Sequence, residues 1–186
     1  MKICLIGEKL SYSYSPFIHK NFGYKYFCRE VPLDEFDFFA RYNDLDGYNV
    51  TVPYKKKILP YLDLYLMDIK HMDSAKHKEY TGAPNERILE NAKKLAASGV
   101  ELIIRTPVVP GFNDTAGEIR AISKFAATLP GVKEHHLLPY HRLGQDKYAG
   151  LERNYSLKDI EPPSQERMEY LLSVAEESGL KCQIGG

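Results

Sequence analysis

The sequence predicts an α/β protein with a mostly parallel sheet built of βα units, ending in part of a (β/α) barrel behind an α/β head. Three observations carry that expectation. Short apolar runs alternate with segments of helical period along the chain, the layout of parallel strands with crossover helices. Cap residues and stop glycines bracket the later helical segments. Ionisable residues recur at strand carboxyl ends, where such folds place their ligands.

Taken in order, KICLIG is a short apolar strand, and Ser15-Pro16 start a helix through FIHKNFG. YKYFCREV is the next strand, and LDEFDFFARY sets Leu33, Phe36, Phe39 and Ala40 at helical spacing. GYNVTVP is a third strand, followed by a short helix from YKKKILPYLD. After LYLMDI, Asn85 caps a helix carrying Ile88, Leu89, Ala92, Leu95 and Ala96 on one face, stopped by Gly99. VELIIR follows, then a capping-box pattern, Thr115 with Glu118, ahead of Ile119, Ile122, Ala126 and Leu129. HHLLPYH is a strand, Pro163-Ser164 open a helix with Met168, Leu171, Leu172 and Ala175 in register, Gly179 ends it, and LKCQI closes the run.

Composition limits the function classes. Basic and acidic residues balance at 25 each among 186 residues, so no global field points to nucleic acid or to a membrane surface. No apolar run reaches the roughly 20 residues of a membrane span, and MKICLIGEK lacks a signal-peptide pattern. Cys4, Cys28 and Cys182 are odd in number and widely spaced, which fits a reducing cytoplasm and buried structural thiols.

The chain is not uniform. Residues 1–62 hold 14 of its 22 Tyr and Phe, whereas residues 63–186 hold 11 of its 12 alanines. Two segments, 1–62 and 63–186, are the expected domains. The first contributes three strands, expected to dock on the second and complete one six-stranded sheet without an open edge.

In the first segment, SYSYSP places Ser13 and Ser15 in a loop opening a helix, where hydroxyls and free amides suit a carboxylate. NVTVPYK puts Asn49 and Thr51 on one strand face with Lys55 beyond, a proton donor or acceptor if its surroundings lower its pKa. The alternative is a helix cap at Ser15 and a solvated face at residues 55–57. SYSYSPFIHKNFG followed by GYNVTVPYKKKILPYLD resembles the amino-terminal, substrate-binding domain of shikimate dehydrogenase, with Tyr12 in place of the usual histidine. That resemblance implies that Ser13 and Ser15 hold the shikimate carboxylate, that Thr51 and Lys55 meet ring hydroxyls, and that Lys55 is the catalytic acid/base. Asn49 joins them as a substrate contact. No G-x-G-x-x-G opens a helix, so an NADP site is not expected.

In the second segment, strand ends deliver Asp68 and Lys70, then Arg105, then His141 to one rim. Cations beside a carboxylate suit a zwitterionic or anionic ligand, or else form a salt-bridged rim that satisfies the loops. LYLMDIKHMDSAKHKEYTGAPNERILENAKKLAASG, IIRTPVVPGFND and LLPYHRLGQDKYAGLERNYSLKDIEPPS resemble the carboxyl-terminal half of a glycyl-radical-enzyme activating enzyme of the pyruvate formate-lyase kind, a radical S-adenosylmethionine protein. The resemblance implies that Asp68, Lys70, Arg105 and His141 line an S-adenosylmethionine pocket, with Asp73 and Asn113 as weaker candidates. Its partner would be a glycyl-radical enzyme. The [4Fe–4S] cluster of that family needs closely spaced cysteines, which the widely separated thiols here do not supply.

Three functions follow as expectations: an activator-type relic, a shikimate-binding module or dehydrogenase fragment, and a fusion product without activity.

Overall fold

The computed structural model describes residues 1–10, 16, 19–20, 22–51, 54–55, 57–142 and 160–185. The chain forms two compact units, Met1–Leu62 and Asp63–Gly186. Among the described residues no helix is long and apolar enough to cross a membrane.

In the first unit, strands β1 (Lys2–Gly7), β2 (Lys25–Glu30) and β3 (Gly47–Val50) form a parallel sheet in the order β2-β1-β3. Helix α1 (Phe36–Arg41) buries Phe36, Phe39 and Ala40 against Cys4, Ile6 and Tyr54. The Tyr54 ring stacks on Phe36 at 4.5 Å between centroids, and its hydroxyl donates to the Val31 carbonyl. Two expectations shift here. Leu33 precedes the helix and is 47% exposed. YKKKILPYLD yields one 3₁₀ turn, Leu59–Tyr61, because Pro60 lacks the N–H that a longer helix would need. The helix expected through FIHKNFG falls partly outside the described residues.

In the second unit, β4 (Leu64–Asp68), β5 (Glu101–Val108), β6 (Glu134–Pro139) and β7 (Lys181–Ile184) form a separate parallel sheet in sequential order. The expected six-stranded sheet is thereby overturned: among the described residues, the three-stranded and four-stranded sheets share no ladder. The crossovers carry α2 (Ser74–Thr81), α3 (Glu86–Ala97), α4 (Ala116–Ala127) and α5 (Gln165–Glu176). Helix α2 was not anticipated. It has no apolar stripe, buries only His77, and starts because Asp73 accepts a hydrogen bond from the Lys76 N–H.

Strand alternation divides the work between the faces of this sheet. Val108 and Leu137 turn to the helices, where they pack with Ile119, Met168 and Leu171. His135 lies on the same side, between the hydroxyls of Thr106 at 2.8 Å and Ser123 at 3.0 Å. Residues of opposite parity, among them Arg105 and His136, turn to the face a closed barrel would enclose.

Burial pushes the His135 imidazole down to about 4. An unfolded imidazole titrates near 6.5, so below that pH the unfolded chain takes up a proton that the folded chain refuses. Stability is therefore complete above pH ~6.5 and falls by about 1.4 kcal/mol per unit down to about pH 4. Urea unfolding from pH 7 to 4 should show this slope in the wild type and lose it in His135→Gln.

Candidate functional site

Parallel strands bring their carboxyl ends to one edge, and the register places Asp68, Arg105, His136 and Gln183 in a single row across β4 to β7. Within that row, Arg105 Nε and Nη2 both donate to Asp68 Oδ1, at 3.0 and 2.8 Å. Each side chain of the pair is about one-third exposed, so the charges remain within reach of a ligand. Neither Asp68 Oδ2 nor Arg105 Nη1 takes part in this contact.

Beyond Asp68 the chain runs through residues 69–73, and buried side chains capture its backbone. Four successive carbonyls are taken. Thr106 Oγ1 donates to the Ile69 carbonyl at 3.0 Å, and Asn113 Nδ2 to that of Lys70 at 2.7 Å. Asn85 Nδ2 donates to the carbonyls of both His71 and Met72 at 2.8 Å. On the donor side, Met72 N–H meets Glu118 Oε1 at 2.5 Å and Asp73 N–H meets His71 Nδ1 at 3.0 Å. Thr106 and Asn113 are fully buried and Asn85 nearly so. Asn113 also donates to the Pro107 carbonyl and accepts from Val109 N–H, tying the ends of β4 and β5 together.

This loop changes two capping expectations. Asn85 stands at the N-cap of α3 but makes no cap bond with its side chain, because its amide holds the loop. Thr115 does cap α4, accepting from Glu118 N–H at 3.2 Å. The Glu118 carboxylate, however, turns to Met72 and lies 3.3 Å from His71.

Of the other expected residues on this rim, Lys70 projects into solvent and joins no ion pair among the described residues. His141 is exposed two residues past β6. Asp73 is occupied as the cap of α2, and the Lys76 backbone hydrogen bond holds its carboxyl below the usual range. In the first unit, Asn49 is exposed on β3 and its amide donates to the Tyr26 hydroxyl at 2.8 Å. Thr51 is half-buried, close to Gly7, where an added Cβ would come within 2.5 Å of Thr51 Cγ2. Lys55 is exposed, and Ser13 and Ser15 lie outside the described residues.

The thiols do not fit an iron–sulfur cluster. Cluster ligands are closely spaced cysteines, whereas Cys4 and Cys28 lie in the first unit and Cys182 lies in β7 of the second, and burial pushes Cys4 and Cys182 up to about 11. Among the described residues no group of three His, Cys, Asp or Glu side chains is placed to hold a metal ion.

Sequence reasoning passed over His136. Its Nε2 donates to Glu134 Oε2 at 2.9 Å, and Lys181 Nζ donates to Glu134 Oε1 at 3.0 Å. These two bonds hold the Glu134 carboxyl below its usual range. The other ring nitrogen, Nδ1, is buried without a hydrogen-bond partner. Alternation within HHLLPYH was the available signal, since it sends His135 and His136 to opposite faces.

Replacing Asn113 by alanine strips partners from two carbonyls and one N–H at once. Urea unfolding should show a loss of at least about 1–3 kcal/mol, the cost of leaving buried polar groups unpaired. Hydrogen exchange should accelerate at Val109, whose N–H the Asn113 side chain now holds.

Comparison with known proteins places these features. The shikimate dehydrogenase substrate binding domain family matches residues 5–75. The indoleacetate decarboxylase activating enzyme of Tractidigestivibacter scatoligenes is 34% identical over 172 residues, 91% of this chain and 52% of that protein. The isethionate sulfite-lyase activating enzyme of Nitratidesulfovibrio vulgaris is 47% identical over 104 residues, 55% of this chain and 33% of that one. A domain of the pyruvate-formate lyase-activating enzyme of Bacteroides vulgatus has a similar structure, with a TM-score of 0.57 and 28% identity, over 75% of this chain and 81% of that one. The chain spans about half or less of the length of these curated relatives. A match over 91% of the chain leaves fewer residues outside it than the first unit contains, so the likeness to activating enzymes continues past Leu62 toward the amino terminus. The chain is thus similar to activating enzymes over most of its length, and its residues 5–75 match the shikimate dehydrogenase substrate binding domain family.

Proposed function

We propose that residues 63–186 form an S-adenosylmethionine recognition rim, the ligand-holding part of an activating enzyme whose partner is a glycyl-radical enzyme. One observation carries this reading: the Asp68–Arg105 pair is followed by Lys70, which joins no ion pair among the described residues, on a loop whose carbonyls are already captured. A methionyl group offers a carboxylate and an ammonium. Arg105 and Lys70 supply cations for the first, and Asp68 supplies a carboxylate for the second. The exposed ring of His141 offers an aromatic face for adenine. Because the backbone of this loop is fixed before binding, little ordering remains to oppose association. The widely separated thiols of this chain do not fit an iron–sulfur cluster, so its own residues support binding and orientation of the ligand.

Isothermal titration with S-adenosylmethionine tests this directly. The wild-type chain should give saturable binding, and Lys70→Ala should weaken it about tenfold, the worth of one charge-assisted hydrogen bond. Since the Lys70 ammonium joins no ion pair among the described residues, the Tm of that variant should stay unchanged. Absence of heat from the wild type sinks the reading.

The family match over residues 5–75 favours a second reading, a shikimate-binding first unit. Lys55 is the residue to vary, because it is exposed and its loss costs the fold little. Thermal shift with shikimate should stabilise the wild type and leave Lys55→Ala unmoved. An equal shift in both would remove Lys55 from that site.

A further inference from the structure

His136 is 6% exposed and stands in the row that contains the Asp68–Arg105 pair, on the sheet face away from α4 and α5. Its two nitrogens are unequal. Glu134 is ionised and can only accept, so the His136 Nε2 that meets it must carry the proton. In the neutral ring Nδ1 is then a bare acceptor. It is buried, and nothing among the described residues donates to it. Buried acceptors in native proteins are nearly always satisfied, so a donor from outside these residues is the missing part. Lys181 completes the arrangement by holding the far oxygen of Glu134 at 3.0 Å, which fixes the carboxylate that fixes the ring.

We propose that His136 is a ligand-contacting residue, its Nδ1 accepting a hydrogen bond from a neutral O–H or N–H on the nucleoside part of the bound molecule. This rests on the S-adenosylmethionine reading and adds to it a specificity contact on β6. A neutral donor suits the position, because an ammonium brought to an atom closed off from water would lose its hydration. The charged end of the ligand belongs instead at Asp68 and Arg105, which remain partly exposed.

The test compares isosteres. Asparagine places an amide oxygen where Nδ1 lies, whereas glutamine places its amide where Nε2 lies. S-adenosylmethionine titrated into the full chain should bind at least about tenfold more weakly to His136→Phe, with most affinity regained in His136→Asn and little in His136→Gln. Recovery by Gln instead of Asn would assign His136 to holding Glu134 and overturn the proposal. Equal affinity of wild type and His136→Phe would overturn it too, while leaving the recognition rim standing. No binding by the wild type would remove both. Should the variants fail to fold, imidazole ¹⁵N NMR of the wild type decides. Adding S-adenosylmethionine, or 5′-deoxyadenosine alone, should move the His136 Nδ1 resonance upfield as its lone pair becomes hydrogen-bonded, and an unmoved resonance would overturn the proposal.

Discussion

The capture of residues 69–73 by buried side chains is the constraint on which the second unit depends. A loop leaving a parallel strand has carbonyls to which no neighbouring strand donates, and burying them unpaired is costly. Here Thr106 from β5, Asn113 from the turn after it and Asn85 from the start of α3 each meet that need. The same bonds that satisfy the backbone also set where Asp68 and Lys70 stand. Stability and placement of the rim are therefore one property, and neither is adjusted without the other. The Asp68–Arg105 pair alone would give less, because partly exposed ion pairs contribute little to stability.

Two adjacent histidines show how the sheet separates structural from available polar groups. His135 faces the helices, finds Thr106 and Ser123, and is kept neutral by burial. Each nitrogen of its ring has a hydroxyl within hydrogen-bond distance. His136 faces the other way and finds one partner where it has two nitrogens. The difference arises from strand parity alone, since both lie in the same strand, one residue apart.

Much of this fold is readable from the sequence because most strands carry a short apolar run and the helices begin at Thr115 and Ser164 with working caps. Glycines complete the reading: Gly99 takes φ 81°, a left-handed conformation that a helix end favours and other residues resist. What was not legible follows from long-range partners. Asn85 looks like a cap and sits at one, yet its amide goes to residues 13 and 14 positions earlier. Glu118 completes a capping-box pattern, yet bonds Met72 from 46 positions away. His136 acquires meaning from a register with Arg105 that no local pattern encodes. Helix α2 escaped for a different reason, since its polar sequence carries no periodic signal and its start rests on Asp73. The six-stranded sheet failed because counting strands says nothing about which edges meet.

The two candidate sites differ in how firmly the fold holds them. In the first unit, Asn49 and Lys55 are exposed, and the Asn49 amide is spent on Tyr26. Lys55 stands in solvent. In the second unit, the groups that would touch a ligand are presented by a backbone pinned from three directions. Rigid support is what turns a set of charges into a recognition surface, because ordering that is complete before binding no longer subtracts from affinity. By that measure, the rim of the second unit is held more firmly than Asn49 and Lys55 of the first, which the fold leaves exposed, although Thr51 beside them is half-buried.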